Sequence, residues 1–305
     1  MTPTHPLRRL VVASHTPFHA DGSLNLAAVE QQAEHFLRTG VDTVFLGGTT
    51  GESSSLMLEE RRALAARWSE VAIGTALKLV VHVGSNCVAD SRSLAAQAEE
   101  LGAAAISALA PCYFKPRSLD LLIECCVQIA AGAPQTPFYY YDIPSMTGVS
   151  FPMVDFLNQA ASRIPTLAGL KFTNPDLMSY QNCLRAGEWD IPFGVDEHML
   201  GALAMGAQGA VGSGFNFAAP IYLRMIEAFK QGNWEVARLE QFRGVQLIQL
   251  FAGLGYMGAA KAAMQMLGVD VGPARLPNNT LTPPQQAKLR SDLEALGFFD
   301  WVRVA

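Results

Sequence analysis

The chain has 305 residues, of which 50% are hydrophobic and 16% are charged, and its formal net charge is −5 at pH 7. An acidic balance without a basic run argues against binding to nucleic acid or to an anionic membrane surface. The length exceeds the roughly 250 residues of a typical α/β barrel, so we expect one large domain with an extension.

Five cysteines occur at irregular spacings, and none of them forms a C-x-x-C pair. This pattern predicts neither a disulfide framework nor a zinc knuckle, and buried reduced thiols predict a cytoplasmic protein. Residues 1–6 lack the apolar core of a signal peptide. The apolar stretch 245–263 is interrupted by glutamines, glycines and a lysine, so we expect a packed helix and a turn there, not a membrane span.

Short apolar runs alternate with longer amphipathic patterns over the first three quarters of the chain. The apolar runs predict strands, and the amphipathic patterns predict helices. The predicted strands are 9–14, 41–46, 79–83, 104–109, 137–141, 167–171, 191–194 and 209–212. The helices predicted to follow them are 26–38, 59–73, 89–101, 119–131, 153–161, 177–185, 199–205 and 220–231.

Eight strands that are each followed by a helix predict an α/β protein with a parallel sheet, which can close into a (β/α)8 TIM barrel. The rival is a doubly wound open sheet, which would want a Gly-rich turn after the first strand. Thr16-Pro17-Phe18 stands there instead, so we favour the barrel. Further helical patterns at 235–251, 258–267 and 284–296 predict a C-terminal helical extension. We therefore divide the chain into a barrel, 1–231, that carries the active site and an extension, 232–305.

Lys171 follows the apolar run 166–170 and is predicted to end a buried strand. Active groups of βα barrels lie at the carboxyl ends of the strands and in the loops just after them. Burial lowers the pKa of an amine, and a neutral amine is the nucleophile that condenses with a ketone. The alternative is a strand-end lysine that pairs with a neighbouring carboxylate.

Tyr141 ends the predicted strand 137–141. A phenol beside a reactive lysine can relay protons during imine formation and carbon–carbon cleavage. The alternative is that Tyr139, Tyr140 and Tyr141 are all core or interface aromatics.

The loop 47–52 follows the second predicted strand and contains Thr49 and Thr50. Its glycines allow a ligand to approach the backbone closely, and its N–H and hydroxyl groups suit a small carboxylate. It lacks the Lys-Ser/Thr of a nucleotide P-loop, which argues against phosphate. The alternative is a tight turn in which Thr49 or Thr50 caps the next helix.

Asp196 and Glu197 place two adjacent carboxylates after the seventh predicted strand. Such a pair can accept hydrogen bonds from the hydroxyls of a polyol, or it can cap the following helix. His15, His82 and His198 are scattered without H-x-x-x-H spacing, so we expect no metal site.

Four motifs occur in chain order, and together they are specific although each one alone is weak. They are GGTTGE at 47–52, YDIPSMTG at 141–148, GLKFT at 169–173 and GAQGAVGS at 206–213. The set resembles the N-acetylneuraminate lyase / dihydrodipicolinate synthase family of pyruvate-dependent class I aldolases, over nearly the whole chain.

The resemblance implies a (β/α)8 barrel with a helical C-terminal extension, assembled as a homotetramer. It implies that Lys171 forms the imine, that Tyr141 relays protons, and that Thr49 and Thr50 clamp the pyruvate carboxylate. It also implies that Tyr113 reaches into the site of a neighbouring subunit.

The sialic acid lyase branch is the better match. Met146 stands where the dihydrodipicolinate synthase branch carries an arginine, and a thioether cannot pair with a carboxylate. The residues that resemble the sugar-binding positions of the lyases are Thr173, Gly194, Asp196, Glu197 and Ser213.

The implied activity is cleavage of N-acetylneuraminate to N-acetylmannosamine and pyruvate, with no metal or organic cofactor. The alternatives within the family are a pyruvate lyase or dehydratase acting on a 2-keto-3-deoxy sugar acid, and a dihydrodipicolinate synthase-like enzyme. A non-catalytic sensor that keeps only the pocket is a third alternative, against which the presence of both Lys171 and Tyr141 argues.

Overall fold

The computed structural model describes residues 5–304. Met1–Thr4, most of the segment that argued against a signal peptide, and Ala305, the end of the predicted extension, lie outside the described residues. The described strands are β1 (Leu10–Ala13), β2 (Thr43–Leu46), β3 (Lys78–His82), β4 (Ala105–Ala108), β5 (Phe138–Asp142), β6 (Leu167–Phe172) and β7 (Ala210–Gly212).

Helices separate the strands and continue after the last of them. The described helices are α1 (Ala28–Arg38), α2 (Leu58–Ala72), α3 (Val88–Glu100), α4 (Leu119–Ala130), α5 (Pro144–Thr147), α6 (Met153–Ala160), α7 (Leu177–Arg185), α8 (Met199–Met205), α9 (Phe215–Lys230), α10 (Trp234–Gly253), α11 (Tyr256–Met266), α12 (Pro283–Leu296) and α13 (Phe298–Trp301). Short 3-10 turns at Ser53–Ser55 and Asp196–His198 complete the described helical structure.

The sheet order of the described strands is β6-β5-β4-β3-β2-β1-β7. The pairs β1–β2, β3–β4, β4–β5 and β5–β6 are all parallel. Parallel neighbours joined by helical crossovers define an α/β, TIM-barrel-like fold, as the strand–helix alternation predicts.

The predicted strand 191–194 is wrong as a regular strand. Residues 190–193 form only isolated parallel bridges, on one side to β6 and on the other to β7. Pro192 explains the interruption, because proline has no N–H and cannot donate to a ladder. Its carbonyl still accepts a hydrogen bond from the Phe172 amide at 3.0 Å.

The predicted helix 220–231 begins too late, because α9 starts at Phe215. The backbone leaves helical geometry at Ala218 (φ −133°), so the element is kinked. Pro220 lies just after the kink, where a missing N–H costs little, and the sequence pattern detects only the segment beyond it. The remaining predicted helices and strands agree with the structure to within two residues at each end.

The described chain forms two compact units. The first comprises the residues up to Val11 and Lys78–Val211, and the second comprises Val12–Leu77 and the chain from Gly212 onward. Tyr140 packs on Phe156 at 4.8 Å between ring centroids in the first unit. In the second unit, Phe36 stacks on Trp68 at 6.1 Å. The division into 1–231 and 232–305 stays a prediction.

Among the described helices, none is by itself long and apolar enough to cross a membrane. The helices α10 and α11 reach that threshold only when they are counted together, and they meet at a bend of 117°.

Candidate active site

Lys171 is the penultimate residue of β6. It is buried, with 3% of its surface exposed. The parallel register pairs Lys171 with Tyr141 of β5. Paired residues of neighbouring strands project from the same face of a sheet. The Nζ atom of Lys171 accordingly lies 3.9 Å from the centroid of the Tyr141 ring. The structure therefore brings together the predicted imine-forming amine and the predicted proton relay.

Tyr141 is also buried, at 2% exposure. The ring of His82 stands edge-on to it, with 5.8 Å between centroids and 89° between planes. Tyr139 and Tyr140 lie in the core. The alternative interpretation placed all three tyrosines in the core or an interface. The Tyr139 hydroxyl donates to Asp190 at 2.7 Å. Tyr141 is thus the member of this tyrosine run that meets the lysine.

Asp142 follows Tyr141 and its side chain lies on the opposite face of the strand. It is 2% exposed, and burial raises the pKa of its carboxyl to about 7. The cause of this raised pKa is burial on the face of the strand opposite Lys171.

Thr173 lies directly after β6, and its amide donates to the Asp142 carbonyl at 2.8 Å. Its hydroxyl oxygen is buried without a hydrogen-bond partner among the described residues. A buried hydroxyl left unpaired costs about 1–3 kcal/mol, so this group is disposed to bind a polar ligand atom.

Gly194 packs against Thr173, and both are predicted sugar-binding residues. The Gly194 amide donates to the Phe172 carbonyl at 2.7 Å. A Cβ on Gly194 would lie 2.0 Å from the Thr173 Oγ1, so only glycine permits this approach. Gly169 likewise permits a close backbone approach within β6, where a Cβ would lie 1.9 Å from the Asp190 carbonyl oxygen.

Asp196 and Glu197 lie in the 3-10 turn that precedes α8, and Asp196 is buried at 6% exposure. The cap position of α8 is occupied by His198 and not by either acid. Both acids lie in the first turn of the helical segment 196–205, where the helix dipole favours a negative charge, so the helix-capping alternative stays open beside the polyol-binding prediction.

Tyr113 is 81% exposed, and it packs edge-on against Phe114, which is 86% exposed. The Asn86 side chain holds this loop by accepting the Tyr113 amide at 3.0 Å. Two large aromatic side chains at such exposure mark a surface that another surface can cover.

Thr49 and Thr50 form a tight turn after β2, in the second unit. The Thr49 carbonyl accepts the Glu52 amide at 3.0 Å. The next α-helix, α2, has Met57 at its N-cap, so the threonines do not cap it. The tight-turn part of the alternative interpretation is confirmed, and its capping part is wrong.

Ser213 lies directly after β7, and its hydroxyl is 2.7 Å from the hydroxyl of Tyr256, the first residue of α11. The phenol fixes the orientation of the serine hydroxyl. Tyr256 is absent from the sequence-based site, because no local pattern links the start of a C-terminal helix to a loop after β7.

The predicted site residues fall in both compact units. The first unit contains Tyr113, Tyr141, Lys171, Thr173, Gly194, Asp196 and Glu197. The second unit contains Thr49, Thr50 and Ser213.

A model of the Dihydrodipicolinate synthetase family matches residues 6–296. The chain belongs to this family. It is 39% identical to the N-acetylneuraminate lyase of Mus musculus over 302 residues, which cover 97% of this chain and 94% of that relative.

Two solved structures resemble this dihydrodipicolinate synthetase family member. The N-acetylneuraminate lyase of Proteus mirabilis is 42% identical, with a TM-score of 0.92 over 95% of this chain and 98% of the other. The N-acetylneuraminate lyase of Aliivibrio salmonicida is 39% identical, with a TM-score of 0.93 over 98% of each chain. The family resemblance predicted from the motifs is confirmed.

No cluster of three or more His, Cys, Asp or Glu side chains that could hold a metal ion occurs within residues 5–304. In this family member, the predicted site residues of the first unit supply an amine, phenols, a hydroxyl and two carboxylates. Such groups can form an imine, move protons and bind a polyhydroxylated acid.

Proposed function

We propose that this chain is a carbon–carbon lyase, a Schiff-base aldolase that cleaves N-acetylneuraminate to N-acetylmannosamine and pyruvate. The single observation that carries the proposal is the buried Lys171 amine, 3.9 Å from the Tyr141 ring centroid, in a chain so similar to N-acetylneuraminate lyases. The carbon–carbon lyase class follows from the family, and the sialic acid substrate from the relatives.

The chemistry begins with attack of the Lys171 amine on the C2 ketone of the open-chain sugar acid. Tyr141 donates its phenolic proton to the carbinolamine hydroxyl, and loss of water leaves an iminium ion that accepts the electrons of the C3–C4 bond. As that bond breaks, Tyr141 takes the proton from the C4 hydroxyl, and the C4 carbon leaves as an aldehyde. The resulting enamine is protonated at C3, and water then releases pyruvate and restores the amine.

Substrate contacts are assigned to the remaining predicted residues. Thr49 and Thr50 bind the substrate carboxylate, as the N–H and hydroxyl groups of a tight turn can. The sugar hydroxyls are bound by Thr173, Gly194, Asp196, Glu197 and Ser213. The partnerless buried hydroxyl of Thr173 supports this assignment, because a substrate hydroxyl would satisfy it.

We further propose the complete (β/α)8 barrel, in which residues 190–193 take the seventh of the eight strand positions, between β6 and β7. Their bridges to both β6 and β7 support this. Residues 232–305 would form the helical extension, and the assembly would be a cytoplasmic homotetramer. Tyr113 would then reach the site of a neighbouring copy.

Reduction with borohydride in the presence of pyruvate tests the lysine chemistry. We expect mass spectrometry to find one reduced pyruvate adduct on Lys171, and no adduct in Lys171→Met. Tyr141→Phe should still be trapped while its kcat for N-acetylneuraminate falls about 10²- to 10⁴-fold, because only the proton relay is lost. An unmodified protein, or an adduct at another lysine, would contradict imine formation at Lys171.

A substrate panel tests the sugar specificity. We expect cleavage of N-acetylneuraminate and no turnover of 2-keto-3-deoxygluconate. The opposite result would assign the chain to the keto-deoxy sugar acid lyases. Pyruvate trapping without any cleavage or condensation product would point to a sensor.

A further inference from the structure

A buried ion pair lies in the second unit, outside the residues assigned to the reaction. The Lys261 Nζ is 2.8 Å from the Glu52 Oε1, and their side chains are 1% and 0% exposed. Desolvation of two charges of this kind largely offsets their attraction, so such a pair is weak evidence of a purely stabilising role. Its location therefore needs another explanation.

Hydrogen bonds also link both members of the pair to the surrounding chain. Lysine has three N–H donors, and besides Glu52 they reach the carbonyl oxygens of Thr16 at 2.9 Å and Pro273 at 2.8 Å. The other carboxylate oxygen of Glu52 accepts the Arg275 amide at 2.8 Å and the Asn278 side-chain amide at 3.1 Å. The ion pair and these four hydrogen bonds hold the side chains of Glu52 and Lys261 in place.

Glu52 is the last residue of the GGTTGE motif, and it is held in the left-handed region at φ +53°. This conformation is unfavourable for a residue with a side chain, and it persists where surrounding contacts impose it. The Glu52 amide donates to the Thr49 carbonyl, so the strained residue closes the turn that contains Thr49 and Thr50.

The same turn is tied to two other parts of the second unit. The Thr16 hydroxyl donates to the Gly51 carbonyl at 2.6 Å. Arg275 donates to the Ser55 carbonyl at 2.9 Å, just beyond the turn. Lys261 and Arg275 both come from the C-terminal third of the chain, so that segment contacts Glu52 and Ser55 at the end of the turn.

We propose that Glu52 and Lys261 are positioning residues that hold the Thr49–Thr50 turn ready for the carboxylate of the keto acid. Neither of them contacts the substrate; they act through the turn. The inference rests on the proposed function, since it assigns to the pair the carboxylate clamp of that same site.

The test compares two ketones as probes of Lys171 trapping by borohydride. Pyruvate carries a carboxylate, and hydroxyacetone is a ketone of similar size without one. In Lys261→Met and in Glu52→Gln, we expect the half-saturating concentration of pyruvate to rise about 10- to 100-fold, because a misplaced binding group costs that much. The value for hydroxyacetone should stay unchanged. The double variant should lose no more than either single variant, because the two residues act as a unit.

Glu240→Gln is the matched control. Glu240 is also a buried carboxylate of the second unit, but it pairs with Arg224 and Arg243 on α9 and α10. Glu240→Gln should lower the melting temperature and leave the half-saturating concentrations of pyruvate and hydroxyacetone unchanged. Glu52→Gln preserves shape, so it reports on the pair even where Lys261→Met fails to fold.

Each outcome has one meaning. If the wild-type protein traps neither ketone, the proposed lysine chemistry fails and the positioning inference fails with it. If the wild type traps pyruvate and the variants keep its half-saturating concentration, the positioning role alone is wrong. Equal shifts for pyruvate and hydroxyacetone, or the same shift in Glu240→Gln, would mean that the pair acts only through stability.

Discussion

Lys171 and Tyr141 occupy the same level of two neighbouring strands, and both are almost completely buried. Transfer of a charged amine into such surroundings costs several kcal/mol unless it is compensated. The aromatic face of Tyr141 can stabilise a cationic form, and the iminium ion of the proposed reaction is such a form. The contact between Lys171 and the Tyr141 ring can therefore also stabilise the iminium intermediate.

Asp142 lies directly behind this pair, and it gives a prediction about pH. Its folded pKa is about 7 against an ordinary value of 3.8, so between these values the folded protein binds more protons than the unfolded chain. Stability contributed by this group therefore falls as pH rises from about 4 to about 7. Asp142→Asn should leave the free energy of unfolding unchanged at pH 4 and raise it by about 2–4 kcal/mol at pH 8.

Urea unfolding across this pH range measures the effect. Asp155→Asn, at an exposed position of α6, is the control and should show no gain that grows with pH. An equal effect of Asp142→Asn at both ends of the range would contradict the assigned pKa.

At the scale of elements, the segment 190–194 replaces a regular strand with a few bridges and a close glycine contact. The interruption follows from Pro192, and the contact follows from Gly194 against Thr173. Irregular pairing next to an active site redirects side chains that a continuous ladder would hold in alternation. The deviation from the predicted strand thus coincides with predicted sugar-binding residues.

Gly194→Ala tests this contact. The added methyl group would lie 2.0 Å from the Thr173 Oγ1 and 3.1 Å from the Thr173 Cα, so backbone must move. We expect the KM for N-acetylneuraminate to rise about 10- to 100-fold, because the two residues no longer hold their positions. Pyruvate trapping at Lys171 should persist.

Gly201→Ala in α8 is the matched substitution. Its methyl group would meet only the flexible Leu177 side chain, at 3.0 Å. Alanine also favours a helix over glycine by about 1 kcal/mol, so this variant should be active and slightly more stable. An unchanged KM in Gly194→Ala would exclude this corner from the sugar site.

At the scale of the whole molecule, large aromatic side chains remain exposed in both compact units. Tyr113 and Phe114 are the most exposed in the first, and Trp234 and Phe242 of α10 are 46% and 56% exposed in the second. Exposed apolar groups of this size are typical of surfaces that other chains cover. The assembly into a homotetramer stays a prediction.

Analytical sedimentation measures the mass of the assembly. We expect a particle of four times the 32.8 kDa chain mass. Tyr113→Ser should keep pyruvate trapping and lower the turnover of N-acetylneuraminate, since the resemblance makes Tyr113 part of a neighbouring site. A single-chain mass at all protein concentrations, with full activity, would contradict both expectations.

Strand and helix periodicity, the loop glycines and the four motifs are local features, and they sufficed to determine the α/β class, nearly every element and the family. Periodicity reports which face of an element is buried, and that is a property of neighbouring residues. It predicted Lys171 and Tyr141 at strand ends, where a parallel fold collects reactive groups.

The tertiary structure decided what depends on residues far apart in the chain. The register that stacks Lys171 on Tyr141, the 2.0 Å limit at Gly194, and the buried Glu52–Lys261 pair have no local signature. Each is selected by packing and by the need to satisfy buried polar groups, which act only when distant segments meet. The strand predicted over 191–194 is a different case, because Pro192 is visible in the sequence and its missing N–H is enough to interrupt the ladder.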